Sequence, residues 1–178
     1  RHHKYSDTEK DPHSPEFSKN IIMLNINTVK HYESVRRNKK DYSKYDYNVP
    51  RWESLEKFSD HWITRVSFIA FYTLVYVSYS TSPWQYMLLP IHFVMGPLHG
   101  SIVNWCGHRY GYVNHKKTND KSKNTIPFDF LMMGELFQNN HHWKPKSINF
   151  SYRWFEVDPG FLFSKILNKI NMIRINNG

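Results

Sequence analysis

Charged side chains vanish from the middle of this chain. From Val66 to Gly107 there is no Asp, Glu, Lys or Arg, a stretch of 42 residues in a chain of 178. Two apolar runs, Ile63–Tyr79 and Met87–Val103, account for most of it, and each is 17 residues long. At ~1.5 Å per residue, such a run reaches the lower limit for a helix that spans a bilayer. Ser80–Gln85 between them is a short neutral turn whose Pro83 and Trp84 suit a hairpin at a membrane interface. A buried helical hairpin of a soluble protein would show the same two runs. The flanking charge separates the readings: Arg51, Lys57 and Arg65 precede the hairpin, Arg109, Lys116, Lys117, Lys121 and Lys123 follow it, and the turn has none. Both ends therefore face the cytoplasm by the positive-inside rule. The pattern predicts an all-α membrane protein, with a transmembrane helical hairpin at 63–103 between cytoplasmic regions at 1–62 and 104–178.

The second run makes an odd helix. Pro90, the Gly96-Pro97 pair and Gly100 interrupt it, and His92, His99 and His108 punctuate it. Ionisable groups at membrane depth are costly and face a protein interior or a polar cavity. His92 and His99 read as polar groups satisfied by packed neighbours. Asn104 and His108 are four apart and share one face of a continuous helix. Near the C-terminus, Phe161, Leu162, Phe163, Ile166, Leu167, Ile170 and Ile173 recur at helical spacing with Lys165, Lys169 and Arg174 between them. That predicts an amphipathic helix, packed on the cytoplasmic region or lying at the membrane surface. Residues 113–125 read as a polar loop without identifiable chemistry, and His31, His61 and His115 as polar surface residues.

Composition narrows the picture. A formal charge of +9 admits nucleic acid, membrane surfaces or small anions as partners. A nucleic-acid-binding module accounts for that charge but not for the uncharged middle. An aromatic content of 17% excludes wholesale disorder. The single cysteine, Cys106, excludes an internal disulfide framework and a cysteine-only zinc site. Eleven histidines in so short a chain are the anomaly. The first residue is Arg1 rather than Met, which reads as a fragment of a longer protein.

Two histidine pairs bracket the hairpin. His2-His3 opens the chain and is followed by Asp7, Glu9, Asp11 and Pro12-His13, while His141-His142 ends the stretch from Gly134. Adjacent side chains on a helix diverge by about 100°. Each pair therefore reaches two metals, or one metal and its surroundings, rather than chelating a single ion. Both pairs lie on the same side of the hairpin as His108. Neutral imidazole suits zinc, copper and iron. Many nitrogen ligands, with Asp7, Glu9, Asp11 and Glu135 near enough in sequence to support them, fit a dinuclear iron centre, although spacing alone does not choose iron over zinc.

These segments are recognisable. Arg1–His13 resembles the end of the second histidine box, His-x-x-His-His, of the membrane acyl-CoA desaturases, running into that family's Asp-Pro-His. Asn104–Tyr112 resembles its Asn-x-x-x-His segment, and Gly134–Pro145 its third box. The resemblance runs in order from Arg1 to about Pro159 and is nearest to the bacterial stearoyl-CoA-desaturase-like branch. It implies that His2, His3, His108, His141 and His142 ligate two iron ions, with Asn104 beside the metal through a water. The family's third box opens with His where this chain has Gln138, a weaker oxygen donor. The first box and the leading His of the second are not among these residues, so the chain alone is expected to hold only part of the site and to be inactive.

The resemblance also implies a reaction. A di-iron, O2-dependent acyl-CoA desaturase of fatty acid biosynthesis introduces a cis double bond into a saturated fatty acyl chain, as an integral, multi-pass membrane protein with its histidine boxes cytoplasmic. The partners it implies are a fatty acyl-CoA, membrane lipid and a separate electron donor, a b-type cytochrome or a ferredoxin with its reductase, and no nucleic acid. A membrane di-iron lipid hydroxylase shares the chemistry and is the alternative. Arg36 and Arg37, with Lys39 and Lys40, would meet coenzyme A phosphates or form a solvated face. Phe150, Tyr152, Trp154 and Phe155 would line an acyl path or pack the core.

Overall fold

The computed structural model describes residues 2–37 and 52–175. Arg1, Lys39, Lys40 and Arg51, which carried expectations above, lie outside the described residues. Among the described residues the chain is helical without strands, and three isolated β-bridges tie its long connection between residues 110 and 157. The chain divides into two units, Asn38–Leu98 and a second made of Arg1–Arg37 with His99–Gly178.

The first unit holds the first apolar run and most of the second. Helix α3 (Glu53–Asp60) leads into α4 (Trp62–Tyr79), whose N-terminus is capped by His61 Nδ1 accepting from the Ile63 amide at 3.3 Å. The turn is tighter than a bare loop. Gln85 reaches back to accept from the Thr81 and Ser82 amides at 2.7 and 3.0 Å, opening a 3₁₀ segment at Pro83–Leu88. Helix α5 (Leu89–Arg109) then runs without a break. Pro90 falls in its first turn, where a missing N–H costs nothing. Pro97 is accommodated inside the helix, contrary to the expected interruptions. Pro83–Arg109 is long and apolar enough to cross a membrane; among the described residues no other helix is. His92 is satisfied as expected, by the Tyr76 hydroxyl at 3.2 Å and the edge-on Tyr72 ring.

The second unit is built round polar connections. Helices α1 (His2–Tyr5) and α2 (Ile21–Arg37) come from the start of the chain, α6 (Gln138–Trp143) and α7 (Pro159–Lys169) from its end. The C-terminal part of α5 supplies Val103, which packs with Met132 and Leu136 against Ile102 and Cys106. Asp129, fully buried, folds the segment before α6 by accepting from the amides of Met132, Gly134 and Leu136. Asp158 caps α7 through the Phe161 amide at 2.9 Å, with Pro159 in the first turn. The helix ends at Lys169, so Ile170, Ile173 and Arg174 lie beyond the amphipathic helix expected to include them. Leu162, Phe163 and Ile166 on it are exposed rather than packed on the unit.

Candidate metal centre

Three imidazoles from three separate segments converge. His2 on α1, His108 near the end of α5 and His142 on α6 each offer a ring nitrogen, and the three atoms lie within 4.8 Å of one another. Their ring centroids are 5.4 Å apart for His2 and His108, and 5.1 Å for each with His142. In each ring Nδ1 is held by a carboxylate: Asp11 at 2.9 Å for His2, Asp7 at 2.8 Å for His108, and Asp120 at 2.5 Å for His142. All three Nε2 atoms are buried without a hydrogen-bond partner. A carboxylate on Nδ1 keeps the proton there and leaves the Nε2 lone pair facing the shared space. Three buried lone pairs with nothing to accept from are costly unless a cation fills the gap between them. The donor set fits a divalent metal.

The other member of each pair points elsewhere. His3 and His141 bring their Nε2 atoms to 3.1 Å, and His141 Nδ1 is buried without a partner. His3 stays within 5.0 Å of His142 between ring centroids. Each His-His pair thus sends one ring to the trio and one to an adjacent two-histidine group, the division that helical divergence predicts. Burial, with the neighbouring His3, His142 and His2, lowers His141 to about 4, so it is neutral near pH 7 and able to ligate.

Carboxylates complete the electrostatics. Burial alone would raise Asp7 and Asp11, but the hydrogen bonds from His108 and His2 hold both below the usual carboxylate range. Asp7 also accepts from Ser14 Oγ and the Lys121 amide, and it sits at φ 56°, a left-handed backbone that an aspartate tolerates better than most residues. Two of the four carboxylates expected near the metal take that place. Glu9 is exposed, and Glu135 is exposed too, with Asp129, Asp158 and His99 as its charged neighbours.

The remaining expected residues lie outside the trio. Asn104 lies one turn before His108, with its amide donating back to Gly100 O at 2.7 Å. Gln138 is buried beside Gly107, with Oε1 unpartnered. Arg36 and Arg37 sit exposed at the end of α2, with Glu33 at 3.3 and 3.7 Å. Phe150 packs on the His141 ring at 4.4 Å, whereas Trp154 is 94% exposed. His99 bonds Leu131 O at 3.3 Å, a satisfied polar group as expected. His115 is partly exposed, and its ring stacks on Trp143 at 5.0 Å and meets Tyr152 edge-on.

The sequence reading missed the frame that holds these rings. Asn139 and Asn140, beside the pair, are buried and bind the 113–125 loop: Asn139 Oδ1 accepts from the Asn114 and His115 amides, and its Nδ2 donates to His115 O. Glu156 accepts from Tyr112, Asn114, Asn140 and the amides of Tyr152 and Arg153. The loop set aside as having no chemistry delivers Asp120. An aspartate between two histidine-bearing segments was the available signal.

Histidine-bearing helical segments supported by carboxylates, in a chain with one helix long and apolar enough to cross a membrane, make a candidate histidine-cluster metal site. The fatty acid desaturase profile matches residues 1–158, and the chain belongs to that family. It is 26% identical to the sn-1 stearoyl-lipid 9-desaturase of Synechocystis sp. over 97% of this chain and 52% of the relative. It is 28% identical to the Delta-9 desaturase-like 2 protein of Arabidopsis thaliana, over 88% of this chain and 50% of the relative. With the acyl-CoA Delta(11) desaturase of Choristoneura rosaceana it shares 27% identity over 79% of this chain and 42% of the relative. The chain spans about half the length of the curated relatives it matches. No solved structure gives a significant match.

Proposed function

We propose that this chain is the part of an O2-dependent acyl-CoA desaturase that carries the second half of a di-iron site. The observation that carries the reading is the trio of buried, unpartnered Nε2 atoms of His2, His108 and His142. His3 and His141 supply ligands toward the second ion, and Gln138 Oε1 offers a weak oxygen donor or holds a water. Asn104 is assigned to the edge of the site.

When bound, the iron pair supplies the O2 chemistry that removes two hydrogens from an unactivated acyl chain, with two added electrons and two protons completing the reduction of O2 to two waters. The protein's own residues do the rest. Asp7, Asp11 and Asp120 keep the protons on Nδ1 and aim the rings. The Asn139–Asn140 frame holds their relative heights. Phe150 closes the His141 side against water. Arg36 and Arg37 are assigned to the phosphates of coenzyme A, and a separate b-type cytochrome or ferredoxin supplies electrons. The hairpin crosses the membrane twice, with Ser82 on the non-cytoplasmic side and the histidines cytoplasmic.

The test uses the full-length protein. Expressed in a host lacking its own desaturase, it should contain about two irons per chain by metal analysis and yield a cis-unsaturated acyl product by gas chromatography–mass spectrometry. Feeding acyl-CoA against lipid-bound acyl chains distinguishes the carrier, since relatives named for both exist. A hydroxylated product would replace this reading by the hydroxylase. A cysteine at Ser82 should react with an impermeant thiol reagent on intact cells; labelling only after lysis would reverse the topology.

A further inference from the structure

The 113–125 loop contributes two consecutive residues to two different imidazoles of the trio. Asp120 Oδ2 accepts from His142 Nδ1 at 2.5 Å, while its Oδ1 is held by the Ser122 amide at 3.0 Å and the Ser122 hydroxyl. The next residue, Lys121, donates its backbone N–H to Asp7 Oδ2 at 2.7 Å, the same oxygen that accepts from His108 Nδ1. The loop is in turn fastened to α6, since Asn139 Nδ2 donates to His115 O and to Thr118 Oγ1 at 3.3 Å. The Lys121 ammonium pairs with Glu16, and the Lys123 ammonium donates to Arg109 O at 2.9 Å. The loop thus touches α6, the end of α5 and the segment after α1, which bear or adjoin all three rings.

We propose that Asp120-Lys121 is a two-armed clip, with Asp120 and the Lys121 amide as positioning groups that fix His142 and His108 together so that their Nε2 atoms face one cation. This rests on the metal-site reading above. A carboxylate on Nδ1 selects the tautomer and ring angle of one ligand. An amide on the Asp7 carboxylate fixes the acceptor that does the same for the other. Because both arms hang from one peptide unit, displacing that unit releases two of the three convergent ligands, whereas loss of Asp11 would release one. The clip therefore makes the trio an all-or-none arrangement rather than three independent ligands.

The experiment compares variants of the full-length protein by Fe2+ affinity under anaerobic conditions and by Mössbauer parameters of the loaded protein, with thermal melts to confirm folding. Asp120→Asn preserves shape and removes the charge that binds the imidazole proton. Lys121→Pro removes the amide hydrogen, and Lys121→Ala keeps it while removing the ammonium. Asp120→Asn and Lys121→Pro are each expected to weaken iron binding about 10- to 100-fold and to change the quadrupole splitting. Lys121→Ala should stay within about twofold of the parent. Combining Asp120→Asn with Lys121→Pro should lose less than the product of the single effects, as two arms of one device do. If Asp120→Asn folds and keeps parental affinity and spectrum while His142→Ala loses iron, the clip is wrong and the metal site stands. If His142→Ala and His108→Ala also keep iron, the metal reading falls and takes the clip with it.

Discussion

The two units bury opposite things. In the unit of residues 38–98, Phe68, Phe71, Leu74, Val77, Phe93 and Val94 are exposed and Thr64 is the buried polar residue among those described. In the other, Asp11, His108, Asn124, Asp129, Gln138, Asn139, Asn140, Glu156 and Asp158 are buried, while few large apolar side chains are. Water drives apolar groups inward, and apolar helix surfaces turned outward suit a solvent that is itself apolar. A buried polar network is stable only where nearly every group has a partner, and the unpartnered exceptions then stand out. In this chain several of those exceptions are imidazole nitrogens of the candidate centre. Histidines occur in both units, so the type of residue does not distinguish them. His92 has a tyrosine hydroxyl to satisfy it, whereas His108 Nε2 has none.

The largest expected effect breaks that contrast directly. In the full-length protein, His108→Ala or His142→Ala should abolish desaturation and strip iron, while His92→Ala, on the same helix as His108, should leave iron content near the parental value. Metal analysis of the purified variants decides it. Equal iron loss in all three would mean that the two kinds of histidine are not different.

Next comes the polar frame. Glu156→Ala leaves five donors without their acceptor, and buried donors so orphaned cost about 1–3 kcal/mol each before water relieves some of them. A loss on the order of 3 kcal/mol is expected in chemical denaturation, larger than for Leu74→Ala on the exposed hairpin face.

Acid should act on the polar unit. His13 and His141 are lowered to about 4, in both chiefly by burial, against about 6.5 when unfolded. The unfolded chain therefore takes up protons first, and metal-free stability should fall as pH drops from about 6.5 to about 4. Asp7, Asp11 and Glu156, all lowered in the fold, contribute stability that is lost further down, below about pH 4. Burial opposes the Glu156 shift, and its amide and side-chain donors reverse it. Melting temperatures of apo protein across this range test the order, and a flat profile from 6.5 to 4 would contradict it.

The smallest effects concern glycines. At Gly111, φ 120°, a Cβ would come within 2.0 Å of Asn124 O, and at Gly107 within 2.3 Å of Gln138 Cγ. Gly111→Ala and Gly107→Ala should each cost about 1–3 kcal/mol. Gly96→Ala meets nothing within 4 Å and should be neutral or gain up to about 1 kcal/mol of helix propensity. Thermal melts in one detergent rank the three.

Much of this was legible in one dimension. A long apolar run broken by a single charge, Arg65, has few low-energy arrangements besides a helix, so α4 was expected within a residue of its observed start and end, at Trp62–Tyr79. The divergence of adjacent side chains on a helix was enough to expect that each His-His pair would split between two places, and the ordered motifs sufficed to bring His2, His108 and His142 under suspicion together. The prolines and glycines of α5 misled because a first-turn proline costs nothing, and the helix continues through Pro97 although that residue has no N–H to give the preceding turn. Which carboxylate serves which ring was decided only in three dimensions. His108 and Asp7 are 101 residues apart, and His142 and Asp120 are 22 apart. No periodicity encodes such pairings; the second depends on Asn139, which ties the loop that carries Asp120 to the helix that carries His141 and His142. Nearness in sequence favoured Glu135, but its charged neighbours are Asp129, Asp158 and His99, and Asp120 is the carboxylate on His142.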